Sequence, residues 1–207
     1  MERNFNRHLY LFIFTIGLIL SGIQPKDMFT WFLEVFPAIL GMIILIFTYQ
    51  KFQFSSLTYW AILIHCYILF IGGHYTYAEV PLFDWIRDEF HLERNNYDKI
   101  GHFAQGFVPS LIARELFIRL EWVKKGMPLF ILTLFTALAI SALYELLEWA
   151  VALGTGESAD AFLGTQGYIW DTQSDMFMAM LGSISMLLLF SNWQDKSILE
   201  ENISNLT

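Results

Sequence analysis

A chain of 207 residues that is 56% hydrophobic and only 15% charged departs from an ordinary soluble domain, which is about 45–50% apolar and about 25% charged. Its single cysteine, Cys66, excludes an intramolecular disulfide and a cysteine-based metal cluster. The net charge of −8 argues against nucleic acid as a partner, and the mean hydropathy of +0.47 points to a membrane.

A helix needs about 20 mostly apolar residues to cross a hydrocarbon core of about 30 Å, and lipid offers no partners to exposed backbone groups, so long apolar runs must be helical. The first run, Leu9 to Ile23, is short and follows Arg3 and Arg7. No small-x-small cleavage pattern follows it, so it reads as a retained span and not a signal peptide. The second, Phe29 to Tyr49, carries Glu34 and Pro37 in its first turns, and the third runs from Leu57 to Gly73. After the third, Leu82, Ile86 and Phe90 recur at i, i+4 and i+8, which predicts a short amphipathic helix on the membrane surface. The fourth run, Asp98 to Leu120, is interrupted by polar residues; the fifth is Pro128 to Leu153 and the sixth Thr172 to Phe190. The fold read from these runs is all-α: a polytopic membrane helix bundle of about six transmembrane helices, forming one domain over residues 1–207. Its first partner is the lipid bilayer.

Lys and Arg set the orientation. Arg3, Arg7, Lys51, Arg114, Arg119, Lys124, Lys125 and Lys196 fall on one side, against Lys26, Arg87, Arg94 and Lys99 on the other. The first side is therefore cytoplasmic, with both termini inside. Fourteen of the twenty acids lie on the outer half, which makes the outer face acidic. The sequons at Asn202 and Asn205 fall on the inner tail and read as chance.

Polar residues gather at the outer ends of the last three runs. Asp98, His102 and Gln105 lie at i, i+4 and i+7 and share one stripe of the fourth helix. Tyr144, Glu145 and Glu148 stand near the outer end of the fifth, and Asp171 and Asp175 open the sixth, ahead of Ala179 and Gly182, small residues that permit close helix contact. Ionisable groups inside a span cost about 2.5–3.5 kcal/mol each even on the lenient insertion scale, so they face one another or a cavity. Bland roles exist for each. Asp98 and Asp171 suit helix N-termini, His102 suits a hydrogen bond to a neighbouring carboxylate, and Arg94 and Lys99 suit charge neutralisation as well as they suit an anionic ligand. Arg114 and Glu115 with Arg119, Lys124 and Lys125 read as a structural, positive-inside anchor. Glu145 and Glu148 are harder to dismiss, because acids near a helix C-terminus oppose its dipole. The glycine-rich loop 154–171, with Gly164, Gln166 and Trp170, has the composition of a lid.

The chain carries His74-Tyr75-Thr76-Tyr77, Val80-Pro81, Arg94-Asn95-x-Tyr97-Asp98-Lys99-x-Gly101-His102-Phe103-x-Gln105-Gly106-Phe107, Tyr144-Glu145-x-x-Glu148-Trp149 and Gly164-Thr165-Gln166-Gly167-x-x-Trp170-Asp171-x-Gln173-x-Asp175-Met176. With these motifs it resembles the YjdF family of bacterial inner-membrane proteins over essentially its whole length. The resemblance implies a multi-pass protein of the cytoplasmic membrane and no established activity. A looser resemblance, to VanZ-like membrane proteins, rests on Asp98-Lys99-x-x-His102, on Glu145 and Glu148, and on Asp171 with Asp175, and implies a place at the cell envelope.

Together these residues make an expected outward-facing site. His102, Asp98, Glu145, Glu148 and Asp175 are its candidate reactive groups, and Arg94, Lys99, Gln105, Tyr144, Gln166 and Asp171 its candidate binding groups. An envelope lipid or lipid-linked substrate is the expected ligand; binding or transport of a cation or small ligand, and an ion-paired structural network serving a membrane partner, are the alternatives. One imidazole among carboxylates suits Mn, Mg or Zn, but the spacing is far less specific than a His-Glu-x-x-His motif. The sequence identifies neither a cofactor nor an oligomeric state.

Overall fold

The structure is a computed structural model that describes residues 6–156, 160–163 and 165–204. Arg3, Gly164, Asn205 and the side chain of Asn202 lie outside the described residues. Among the described residues every regular element is a helix. The elements are α1 (Arg7–Ser21), α2 (Met28–Thr48), α3 (Ser56–Tyr75), α4 (Pro81–Glu89), α5 (Tyr97–Arg119), α6 (Met127–Thr155), α7 (Asp160–Leu163), α8 (Asp171–Ser185), a π-helical turn (Met186–Phe190) and α9 (Ser191–Ser204).

Local chemistry sets several of these boundaries. The side chains of Asn6 and Asp27 accept from the amides of Leu9 and Thr30 and cap α1 and α2. Pro81 opens α4, where its missing N–H costs nothing. At the end of α3, Thr76 and Tyr77 both take left-handed backbone angles, with φ of 58° and 54°, and this turns the Tyr77 ring back into the bundle. There it sits where a β-carbon on Gly72 or Gly101 would be, so the two glycines make its pocket.

The distribution of polarity is inverted relative to a soluble protein. Phe12, Ile19, Phe47, Phe135, Leu143, Leu147 and Leu189 are exposed, while Glu34, Asn95, Asp98, His102, Arg114, Glu115, Glu145 and Asp175 are buried. Such an apolar exterior is stable only against lipid. Among the described residues, four helical stretches are long and apolar enough to cross a membrane: α2, α3, α6, and the continuous run from α8 into α9 over Asp171–Glu201. The other two runs differ. α1 has only 15 residues, and α5 has 23 but a mean composition too polar to stand in lipid alone. α5 does not stand alone, because it packs against α3, α6 and α8 and buries twelve of its residues.

One end of the bundle holds the α1–α2 turn, the α3–α5 connection and the start of α8. There the Lys26 amide donates to the His74 carbonyl and Arg94 donates to the Thr165 carbonyl. The other end holds the α2–α3 and α5–α6 turns and α9, joined by Arg119 on the Gln53 carbonyl and by Arg114 on Asp195 at 2.9 Å.

Two elements depart from the sequence reading. α6 continues to Thr155, so Glu145 lies ten residues, about 15 Å, inside its end. The last helix does not stop at Phe190 but passes through the π turn into α9. Arg114 and Glu115, read as part of the inner-side anchor, are both buried in contacts that tie α5 to its neighbours.

Candidate functional site

The first two turns of α5 present Asp98, Lys99 and His102 to the inside of the bundle. Asp98 and His102 are four residues apart on one face, and His102 Nε2 lies 3.2 Å from Asp98 Oδ1. The other ring nitrogen, Nδ1, lies 3.1 Å from Gln105 Oε1, an oxygen that can accept a hydrogen bond from it. From α8, Asp175 places Oδ1 3.8 Å from His102 Nε2. From α6, Glu145 places Oε1 3.7 Å from His102 Nδ1. One imidazole, 8% exposed, is thus met by carboxylates from three helices.

α8 reaches this depth because α5 and α8 touch backbone to backbone. A β-carbon on Gly106 would overlap the Ala179 carbonyl, and one on Gly182 would overlap that of Phe103. Small residues at this seam allow the approach that brings Asp171 and Asp175 to the level of Asp98 and His102.

Two cations tie the carboxylates together. Lys99 donates to Asp175 Oδ1, to Asp171 Oδ1 at 3.1 Å and to Ser174 Oγ at 2.7 Å, and it lies 3.5 Å from Asp98 Oδ2. Arg94 donates to Asp171 Oδ1 and approaches Asp98 Oδ2 at 3.5 Å. The Tyr168 ring lies against both cations, 5.6 Å from the Arg94 guanidinium and 5.8 Å from the Lys99 ammonium. Gln166 fastens this loop by a reciprocal pair: the Asn95 amide donates to its Oε1 at 3.0 Å, and its Nε2 donates to the Asn95 carbonyl at 2.9 Å. Residues 165–170 therefore lie against the start of α5 as a strap.

The expected residues do not all make contact. Tyr144 turns from His102 and donates its hydroxyl to Glu34 Oε2 at 3.3 Å. Glu148 is half-buried and has no hydrogen bond or ion pair among the described residues. Glu145 Oε1 is buried and has no hydrogen-bond partner.

Three contributors were not among the expected site residues. Glu34, buried on α2, brings a further acid to the group; an acid in the first turns of an apolar run was its signal. Asn95, wholly buried, donates to the Val80 carbonyl at 3.1 Å and to Asp84 at 3.0 Å and accepts from the Tyr97 amide at 3.1 Å. It joins α4, the strap and α5, which only the fold could reveal. Ser174 adds a hydroxyl beside Lys99. Taken together, an imidazole oriented by an amide, three facing carboxylates and two charge-balancing cations can hold a cation or move a proton.

Residues 6–196 match the family described as "Predicted membrane protein (DUF2238)". The chain belongs to this family. It is also 44% identical over 184 residues to the inner membrane protein YjdF of Escherichia coli (strain K12), an alignment that covers 89% of this chain and 88% of that protein. No solved structure gives a significant match. Membership of a family of predicted membrane proteins agrees with the apolar exterior and the four long apolar helices: the chain is a multi-pass helical membrane protein.

Proposed function

We propose that the cluster around His102 is a reactive site at the outer end of an inner-membrane bundle, acting on the polar head of an envelope lipid or a lipid-linked substrate. The observation that carries this reading is the convergence of Asp98, Glu145 and Asp175, from three helices, on one buried imidazole. Glu145 Oε1, beside the ring, is left buried without a hydrogen bond, at a cost of about 1–3 kcal/mol, which supports a use for this carboxylate beyond locking helices. In this reading His102 is the reacting centre and Glu145 carries the proton. Asp98 and Gln105 fix the ring, and Arg94, Lys99 and Asp171 hold the carboxylates in place. Glu148 lies one turn nearer the end of α6, and Tyr144 and Gln166 hold Glu34 and Asn95 beside the cluster. The test compares envelope lipids by mass spectrometry in cells that make the protein, that lack it, or that make His102→Asn or Glu145→Gln at equal folded abundance. A lipid or lipid-linked species should change with the wild type alone. Identical profiles for the wild type and both variants would remove the reading.

A second reading, binding or passage of a cation, is favoured by one feature. The buried stripe of α6 carries Thr133, Ser141 and Glu145, and each has a polar atom without a hydrogen-bond partner. The row leads from His102 toward the other end of the bundle. Cation or proton flux into proteoliposomes separates this reading from the first.

A further inference from the structure

Gln105 Oε1 lies 3.1 Å from His102 Nδ1, and the ring turns Nε2 toward Asp98 Oδ1 at 3.2 Å and Asp175 Oδ1 at 3.8 Å. A proton on Nε2 meets both carboxylates as an imidazolium, and a divalent cation that displaces that proton would meet the same three atoms. Glu34, Asp98, Glu145, Asp171 and Asp175 are buried at this end beside Arg94 and Lys99.

We propose that Asp98, His102 and Asp175 bind a divalent cation of the Mn2+ or Zn2+ type, as the cofactor of the site read above. One ligand atom from each lies within 4.8 Å of the others. Metal bonds of about 2.0–2.2 Å set neighbouring ligand atoms about 3–3.5 Å apart, so side-chain movements of about an ångström close the set. The surroundings are those a metal-bound histidine requires. Its second nitrogen donates to a fixed acceptor, Gln105, with the Glu145 carboxylate behind it at 3.7 Å. Asp98 divides its oxygens in the same way, Oδ1 toward the imidazole and Oδ2 toward Arg94 and Lys99. Lys99 does not obstruct the ion, because its ammonium also has Asp171 at 3.1 Å and Ser174 at 2.7 Å to hold it when Asp175 turns to the metal. Two carboxylates with one imidazole and open positions for water favour Mn2+ or Zn2+ over the softer metals.

The proposal rests on the reading of His102 as a reactive centre, and the two fail separately. The full chain is purified in detergent, equilibrated with micromolar Mn2+ or Zn2+, desalted and analysed for metal. The wild type should retain about one ion per chain, and His102→Asn and Asp175→Asn should retain less than a tenth as much. Zinc-edge X-ray absorption on the wild type alone should show one imidazole among oxygen ligands, a readout that does not depend on the variants folding. Background metal in the wild type, or undiminished metal in folded His102→Asn, overturns the site. If metal is absent while lipids still change in a His102-dependent way, only the metal is lost; if metal binds and lipids do not change, only the substrate reading is lost.

Discussion

Glu115 has no exposed surface, yet it is among the best satisfied groups in the molecule. It accepts from the Ser55 amide at 2.6 Å, the Ser55 hydroxyl at 2.8 Å, the Thr58 hydroxyl at 2.6 Å and Arg119 at 3.0 Å. Arg119 in turn lies over the Phe52 ring at 4.3 Å. A carboxylate removed from both water and lipid is tolerable only when its lone pairs are filled in this way, and removing one member leaves the others stranded. Glu115→Ala strands the Ser55 amide and the Arg119 charge together, and should cost about 3–5 kcal/mol, read as a lowered denaturation midpoint in detergent. Glu115→Gln keeps one acceptor oxygen and should fall between that variant and the wild type. An unchanged midpoint in both would show that the α2–α3 turn is held by something else. The contrast with Glu145 is instructive: the two carboxylates are similarly buried, but one has every contact filled and the other has an oxygen without a donor. The first fits a structural acid, and the second is the acid that the proposed function puts to use.

Among the elements, the seam between α5 and α8 decides whether the site exists. Gly106 and Gly182 each meet the backbone of the opposite helix where a methyl group would be, so Gly106→Ala forces the helices apart. Overpacking of this kind costs about 1–3 kcal/mol, and it also draws Asp175 from His102. The variant should therefore lose thermal stability in detergent and any His102-dependent property at once. Gly41 on α2 is the control. A β-carbon there meets nothing within 4 Å, and Gly41→Ala should be neutral or stabilising by up to about 1 kcal/mol. If Gly106→Ala proves as harmless as Gly41→Ala, the close approach of α5 and α8 is not needed. Helices were the legible part of this sequence because their apolar runs are long, and α4 was legible because Leu82, Ile86 and Phe90 recur at helical spacing, although the helix ends at Glu89. The end of the last helix was not. After Phe190 the chain reads Ser191-Asn192-Trp193-Gln194-Asp195-Lys196, polar enough to suggest that the helix had left the membrane. The structure instead buries Gln194 completely, where it accepts from Arg114 at 2.8 Å and donates to the Leu111 carbonyl at 2.7 Å. A polar side chain that satisfies a tertiary partner cannot be told by composition from one that meets water.

Across the whole molecule, the same division separates what the sequence disclosed about the site from what it did not. Asp98, His102 and Gln105 were legible as a group because helical periodicity puts them on one face. Asp175 and Glu145 followed from the alternation of helix direction, which brings the end of α6 and the start of α8 beside the start of α5. Glu34 and Asn95 depend on which helix packs where, and periodicity carries no information about that. The side of the membrane on which the site opens comes from the charges. Lys26 lies at the end of the bundle that holds the site, ion-paired with Glu79, and Lys125 lies at the other end, 60% exposed and paired with Asp195. The excess of Lys and Arg at the Lys125 end leads us to propose that this end is cytoplasmic. Cysteine labelling can decide it with little interference from the native thiol, because Cys66 is buried at 5% exposure. In intact cells whose outer membrane is permeable, Lys26→Cys should react with a membrane-impermeant maleimide, and Lys125→Cys should react only after the inner membrane is opened. The reverse pattern would invert the molecule, turn the His102 cluster toward the cytoplasm, and withdraw the outer-leaflet lipids from its reach. Labelling of both from the same side would break the alternation itself, and with it the reason that three helices deliver their polar groups to one level.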